Sequence, residues 1–355
     1  MTSAPAHGRA QAHAIRQGVL AAVFVAAGAV TIAFFLVDAR AAARGWLLAF
    51  VLFSQFALGS MALLLIQNLV HVSWGVQFSP PLRALVLGVP LLAFFWIPIA
   101  MHLGAIYPWV SSLAQVPADV HAANLNPASF ALRSIIALAA WMLFAVLLLI
   151  NGTVSRLTAA LGLVFFGLSS YVFGFDWILS VGAPFISSAF NAEIAIQCIM
   201  AGLAACAFFA LSVADRQARG DAGGFLLAAS LGVFYFGLMS YIVNWYGNLP
   251  DQAEWYLERG GRWLFVVLVA VLFGAALPIV SLLYGAVRNN GRPLRLVGAS
   301  ALLAIALHNL WLFAPLMTAQ SILTAAIAFI AMTGALVRVQ QWGRRFILEG
   351  RSSDV

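Results

Sequence analysis

The sequence predicts an all-α, polytopic membrane protein with about ten transmembrane helices. Three observations predict this class: 64% of the 355 residues are hydrophobic, only 8% are charged, and the mean hydropathy is +1.00. A soluble domain has about 25% charged residues, because polar groups must cover its folded surface. Lipid requires no such cover, so the composition excludes a soluble globular protein.

Apolar runs long enough to cross about 30 Å of hydrocarbon recur along the whole chain. The ten predicted spans are residues 15–37, 46–70, 84–106, 130–150, 157–176, 187–212, 223–246, 263–286, 294–313 and 320–338. None alternates in polarity as a strand of a membrane barrel would. The first run is too long and too weakly flanked for a cleaved signal peptide, so we expect it to remain as a helix. The predicted organisation is a cytoplasmic tail at 1–14, a membrane domain at 15–338 and a second cytoplasmic tail at 339–355.

The basic residues indicate the orientation in the membrane. All 18 are arginines and the chain has no lysine, which excludes a lysine Schiff base or a Walker-type phosphate loop. With ten spans both termini share one side, and that side receives thirteen arginines: Arg9, Arg16, Arg83, Arg156, Arg216, Arg219, Arg288, Arg292, Arg295, Arg338, Arg344, Arg345 and Arg351. The other side receives five: Arg40, Arg44, Arg133, Arg259 and Arg262. Because cytoplasmic loops retain positive charge, we expect both termini on the cytoplasmic side of the membrane. The net charge of +7 therefore reflects topology rather than a nucleic-acid partner.

Glu193 is the strongest candidate for chemistry inside the membrane, because an ionisable group in a span is costly unless it is paired or wetted. Gln197 lies four residues further on and therefore on the same helix face. A carboxyl group at this depth could take up and release a proton. The alternative is a carboxyl near the helix end that reaches water among the lipid headgroups, and the sequence leaves both open.

Asp176 ends the fifth predicted span at the same outer face and is a second candidate for a proton path. Its simpler role is a hydrogen bond at a helix end. Asp176 and Glu193 bracket a short loop, and two carboxyls beside a lipid-accessible pocket suit quinol oxidation, because each quinol releases two protons. Arg133 cannot lose its charge and needs an anion such as Asp176 or Glu193, unless it extends to the interface.

His102 and His308 are possible proton relays, although a lone histidine on an apolar helix more often satisfies a local hydrogen bond. With His71 they are the histidines near the membrane, and their spacing does not favour the axial pair that haem b requires. Cys198 and Cys206 are too few to ligate an iron–sulfur cluster. We therefore expect no metal and no cofactor bound by this chain.

Two segments resemble a known family. Residues 175–180 (FDWILS), followed by a serine-rich and aromatic re-entry at 187–190, resemble the FDW-(I/V)-MS segment of the NrfD-like, or polysulfide reductase membrane subunit-like, proteins. Residues 245–251 (WYGNLPD), 254–256 and 259–263 are similar to the WYGNLP loop of the ActF-type membrane subunit of alternative complex III. Residues 181–185 (VGAPF) differ from that family, which tends to have an acidic residue, Pro, His and Trp there.

The resemblance implies ten helices, with two four-helix bundles between a first and a last flanking helix. It implies a membrane subunit of a quinol-oxidising respiratory or photosynthetic complex that supports assembly and offers a proton route. The implied partners are a sister NrfD-like subunit, an iron–sulfur subunit and multihaem cytochrome c subunits in a bacterial inner membrane. Quinol is possible in the complex, with the sister subunit as the usual site of its oxidation in that family, and whether quinone binds this chain stays open. The outer loop then carries candidate docking residues: Trp245, Tyr246, Asn248, Pro250, Asp251, Glu254 and Trp255.

Two other functions remain open at the level of sequence. A secondary transporter would place substrate-coordinating polar groups near the midplane, where His308 is the deepest candidate. A purely structural scaffold would use the outer loops for docking, and an interfacial aromatic belt explains most of their tryptophans and tyrosines without any partner.

Overall fold

The computed structural model describes residues 4–70, 73–111, 125–182, 187–209, 215–247 and 250–352, which are helical with no strand. Ten of the described helices are apolar and long enough to cross a membrane, as the sequence predicts. Their bounds are α1 (Ala4–Val37), α2 (Ala39–Leu69), α3 (Ser73–Val86, continued by Val89–Met101), α4 (Pro127–Asn151), α5 (Arg156–Tyr171), α6 (Ser188–Phe209), α7 (Arg216–Tyr246), α8 (Arg262–Val271, continued by Leu277–Leu283), α9 (Gly291–Leu312) and α10 (Ala319–Ser352).

The helix ends follow ordinary local chemistry. Asn126 and Ser155 cap α4 and α5 by accepting hydrogen bonds from the backbone amides of Ser129 and Thr158. The third span is interrupted at residues 87–88, immediately before Val89–Met101, which has Pro90 in its first turn. Both predicted tails are helical where the structure describes them, because α1 begins at Ala4 and α10 continues to Ser352.

Two helices occupy the centre. In the most apolar stretch of each helix, 83% of the residues of α2 and 67% of those of α6 are buried, whereas only 11% are buried in α1. α3, α4 and α5 pack around α2. α7 and α9 pack on α6, and α8 packs against α7 and α9, so the molecule has two groups of four helices. α10 packs along α2, and α1 lies against α10 and α2 at the periphery. This arrangement matches the first and last flanking helices that the resemblance implies.

The two central helices cross in direct backbone contact. A Cβ atom on Gly59 of α2 would overlap the backbone carbonyl of Cys198 on α6, and one on Gly202 of α6 would press on the backbone of Gly59 and Ser60. Glycine is required at this crossing because no side chain fits between the helices.

Hydrogen bonds between loops and helix ends show which of them lie together at each end of the helix bundle. At the end that carries thirteen arginines, Gln77 contacts Asp215 and Arg83 donates to the carbonyl of Gly152. At the opposite end, Arg44 donates to the carbonyl of Ala105. We call these the arginine-rich and arginine-poor ends.

Two membrane helices contain a π-helical turn near their candidate sites. Val172–Asp176 extends α5 at the arginine-poor end, and Leu272–Ala276 joins the two parts of α8. Each π turn inserts an extra residue into the helix, which changes the direction of the side chains that follow. The α5 turn orients Asp176, and residues of the α8 turn line the cavity described below.

Candidate functional site

Asp176 and Arg133 form a buried ion pair at the arginine-poor end. Arg133 Nε lies 2.8 Å from Asp176 Oδ2, and Arg133 Nη2 lies 2.9 Å from Oδ1. The Asp176 side chain is fully buried and that of Arg133 is 21% exposed. This two-bond geometry favours the ionised carboxylate, because the guanidinium keeps its charge and matches both oxygens. Of the two carboxylates that the sequence offered to Arg133, the structure selects Asp176.

Aromatic side chains fill the space around that pair. Trp177 is fully buried and donates from Nε1 to Ser134 Oγ at 2.9 Å, while Trp141 packs edge-on against its ring. The Tyr107 hydroxyl donates to the backbone carbonyl of Trp177 at 3.3 Å, and burial raises the pKa of Tyr107 well above its ordinary value. The pair therefore lies in a packed environment that favours one fixed arrangement.

Glu193 has a different partner, His308 of α9. His308 Nε2 lies 3.4 Å from Glu193 Oε1, and His308 Nδ1 lies 2.9 Å from Gln197 Nε2. The Glu193 side chain is 6% exposed and that of His308 is 15% exposed. Glu193 and Gln197 thus share one helix face, as their spacing predicts. The two acids that bracket the loop are held by separate partners, Arg133 and His308, instead of forming a joint site.

A cavity of about 610 Å³ lies beside the Glu193–His308 pair. Its apolar walls come mainly from α7 and α8, including Phe234, Leu238 and Leu268. These three side chains are also exposed on the outside of the bundle, by 39%, 39% and 57%. Within α8, α7 contacts mainly Leu277–Leu283 and the π turn, while Arg262–Val271 packs on α9. The cavity therefore opens sideways, toward lipid, between α7 and the first part of α8.

A short helix, Pro250–Leu257, covers the outer end of this cavity, and we call it the cap helix. Trp255 of the cap helix is 5% exposed and packs edge-on against Trp311. The Tyr256 hydroxyl donates to Ser240 Oγ at 3.2 Å. Burial raises the pKa of Tyr256, so the phenol stays protonated at neutral pH and can act as a hydrogen-bond donor at this wall.

Arg259 follows the cap helix and is a buried cation on the cavity wall. It is 3% exposed, donates from Nε and Nη2 to the carbonyl of Leu312 at 3.1 and 3.0 Å, and donates from Nη1 to the carbonyl of Trp255 at 2.8 Å. Its guanidinium carbon lies 3.7 Å from the Trp255 ring centroid. Burial lowers the pKa of Arg259 to about 9, so the group still carries its charge at neutral pH. The sequence assigned Arg259 only to the outer side and missed this position.

His102 joins neither acid within the described ranges. Its Nδ1 lies 2.9 Å from the carbonyl oxygen of Pro98, and its ring packs against Phe35 of α1. This is the local hydrogen bond that a lone histidine on an apolar helix most often makes, so only His308 of the two expected relays reaches Glu193. His71 lies outside the described residues.

The expected docking residues divide into three groups. Trp245 is 54% exposed, Tyr246 is 85% exposed, and Glu254 is also exposed. Trp255 was expected at a docking surface, but the Arg259 guanidinium and Trp311 cover it, so it is a cavity wall instead. Asn248 lies outside the described residues, and only the helical backbone of Pro250 and Asp251 is described.

Comparison of the whole chain with protein-family models and with curated proteins gave no match. In the described part of the chain, no three or more His, Cys, Asp or Glu side chains gather as a metal site would require. The chemistry of the site therefore rests on its own geometry: a protonatable pair, a fixed cation and a phenol around an apolar cavity.

Proposed function

We propose that this chain is an integral membrane subunit of a quinol-oxidising respiratory or photosynthetic complex related to alternative complex III. In this proposal Glu193, held by His308, exchanges protons at the lipid-facing cavity. The single observation that supports it most is the position of this pair in the wall of an apolar cavity that opens between two membrane helices.

The size and lining of the cavity suit a lipid-soluble ligand with a polar headgroup. Ligand pockets usually have volumes of about 300–1,000 Å³, and this cavity has about 610 Å³. Its lateral opening is apolar, while Glu193, His308, Tyr256 and Arg259 form its polar wall. A quinol hydroxyl at that wall can give its proton to the Glu193 carboxylate as the first electron leaves for a redox partner. The second proton can follow the same route with the second electron, once Glu193 has released the first proton.

The partners in this proposal come from the resemblance and from the exposed outer surface. A sister membrane subunit, an iron–sulfur subunit and multihaem cytochrome c subunits would accept the electrons, because the resemblance gives this chain no redox group of its own. The exposed side chains of Trp245, Tyr246 and Glu254 offer a docking surface at the arginine-poor end. The excess of arginine at the other end favours cytoplasmic termini in a bacterial inner membrane.

The experiment is a comparison of two carboxyl-to-amide variants in the complex purified from native membranes. Glu193→Gln should retain co-purifying haem c absorption and lose about 10²-fold in quinol oxidation, because it removes the proton acceptor. Asp38→Asn is the matched control, since Asp38 is an exposed carboxyl at the same end and caps α2, a role that asparagine also fills. Unchanged turnover and proton release in Glu193→Gln, or a chain that purifies without a cytochrome, would contradict the proposal.

A secondary transporter is the second candidate, and one observation favours it. Gln55, Gln197 and Asn309 form a buried amide cluster next to His308, and Gln55 lies near the middle of α2. Transporters of this kind bind substrate at such midplane polar groups. Accumulation of a solute by the isolated chain in sealed vesicles, with no cytochrome present, would favour this candidate over the first.

A further inference from the structure

A chain of hydrogen bonds leads from His308, whose Nε2 lies 3.4 Å from Glu193 Oε1, into the centre of the molecule. After the Glu193–His308 contact, His308 Nδ1 meets Gln197 Nε2 at 2.9 Å, and Gln197 Oε1 meets Gln55 Nε2 at 3.1 Å. Gln55 and Asn309 then pair reciprocally at 3.2 and 3.0 Å. The exposed fractions of Gln55, Gln197 and Asn309 are 0%, 2% and 0%, so each polar atom depends on its partners in the chain.

One backbone atom fixes the direction of this chain. Asn309 Nδ2 lies 2.8 Å from the carbonyl oxygen of Ile305. A carbonyl oxygen only accepts hydrogen bonds, so the Asn309 amide nitrogen must face it. The opposite orientation would place two oxygens against each other in a buried site, which is strongly unfavourable.

The orientation of the Asn309 amide then fixes the orientation of the Gln55 amide. Because Asn309 Nδ2 faces Ile305, its second hydrogen is free for Gln55 Oε1, and Asn309 Oδ1 can only accept from Gln55 Nε2. Both amide groups are therefore oriented by the Ile305 carbonyl, although only one of them touches it.

The same reasoning orients Gln197. The remaining hydrogen on Gln55 Nε2 requires an acceptor, and Gln197 Oε1 is the atom at 3.1 Å. Gln197 must then present its Nε2 group, which only donates, to His308 Nδ1. A nitrogen that accepts a hydrogen bond from an amide carries no proton itself.

We infer that the amide chain Asn309–Gln55–Gln197 holds His308 in the tautomer with its proton on Nε2, directed at the Glu193 carboxylate. The three amides are thus positioning residues that act on Glu193 through His308. Since Nδ1 is occupied by the Gln197 donor and Nε2 already carries a proton, Glu193 is the group that accepts a proton from the cavity. His308 orients and stabilises that carboxylate instead of relaying the proton.

The tautomer is measurable without any turnover assay, by nitrogen NMR of the full chain in lipid bilayers with ¹⁵N,¹³C-labelled histidine. The chain has six histidines, and the His308 signals are those lost in a His308→Phe variant. We expect a protonated Nε2 and a bare Nδ1, with the other tautomer at least about tenfold less populated. A protonated Nδ1 in the wild-type spectrum would overturn the inference.

A reversal of the chain provides the second test. Gln197→Glu replaces the donor opposite Nδ1 with a carboxyl that only accepts once it is ionised. In spectra recorded at alkaline pH, where the new carboxyl is ionised, we therefore expect the proton to appear on Nδ1. Asn68→Asp is the matched control, because Asn68 is an amide of α2 whose partners are the backbone carbonyl of Leu64 and the backbone amide of Val154 instead of His308. A His308 spectrum that Gln197→Glu leaves unchanged would contradict the inference.

The wild-type spectrum decides the matter even where the variant does not fold. The role in turnover rests on the proposed function, but the two can fail separately. A protonated Nε2 together with full quinol oxidation in Glu193→Gln would retain the tautomer and remove the proposed function.

Discussion

Asp176 and Glu193 are two buried carboxyls near the arginine-poor end, and their surroundings differ in every respect that matters for chemistry. Asp176 meets a permanent cation through two short hydrogen bonds, and tryptophans fill the space around it. Glu193 meets a histidine, which can change its charge, and a cavity of about 610 Å³.

The difference shows how one residue type serves two purposes in one membrane protein. A carboxylate beside arginine remains ionised, so it stabilises the fold and offers no proton. A carboxyl beside histidine and an open cavity can change its protonation state without breaking an ion pair. Burial alone therefore does not identify a chemical site, whereas the partner and the free space beside it do.

The largest expected effect is on stability, at the packed site. Asp176→Asn leaves the Arg133 charge without its anion, and breaking such a pair costs about 3 kcal/mol, at the low end because Arg133 is 21% exposed. The measurement is the free energy of unfolding in detergent. The double variant Arg133→Met, Asp176→Leu should recover more than half of the loss, since it removes both charges. An Asp176→Asn protein as stable as wild type would break the comparison.

A smaller effect is expected for the same chemical change at the cavity. Glu193→Gln keeps the side-chain shape and removes no ion pair with a fixed cation, so the free energy of unfolding should change by less than about 1 kcal/mol. The same unfolding measurement checks this value. A loss as large as that of Asp176→Asn would mean that Glu193 is a structural acid too.

The smallest effect is expected at a third, exposed acid. Asp215 caps α7, and hydrogen bonds from the Ala218 amide and the Gln77 side chain lower the pKa of its carboxyl. A lowered pKa stabilises the fold above the unfolded value of about 3.9, and this contribution is lost as pH falls through the folded pKa. Wild type should therefore lose slightly more thermal stability than Asp215→Asn between about pH 5 and pH 3. If the melting temperatures of the two proteins fall equally across that range, protonation of Asp215 does not affect the stability of the fold.

Hydropathy was sufficient to predict the ten spans, because a lipid environment demands long apolar helices whatever their packing. The sequence narrowed the partner of Arg133 to two candidates, Asp176 and Glu193, since a cation that keeps its charge must have an anion nearby. The spacing of Glu193 and Gln197 also gave their shared face correctly, because that depends only on helix geometry.

The partners of Glu193 were not predictable in the same way. His308 lies 115 positions away in the chain, and only the packing of α6 against α9 brings the two together. Gln55 and Asn309 carry no ionisable group, so the cost of a charge in the membrane does not single them out in the sequence. An amide side chain inside an apolar run could have indicated them, because burying an amide in the membrane without a hydrogen-bond partner also costs free energy. The burial of Trp255 and Arg259 depends on how the cap helix folds back, which local sequence does not specify.

The glycine crossing of α2 and α6 limits how such a molecule can move. With the carbonyl of Cys198 seated directly on Gly59, neither central helix can slide along the other without a collision of main-chain atoms. Alternating-access rocking of one helix group over the other would need this joint to open. The lateral opening of the cavity lies between α7 and the first part of α8, so a molecule that enters there from the membrane leaves the contact between α2 and α6 unchanged.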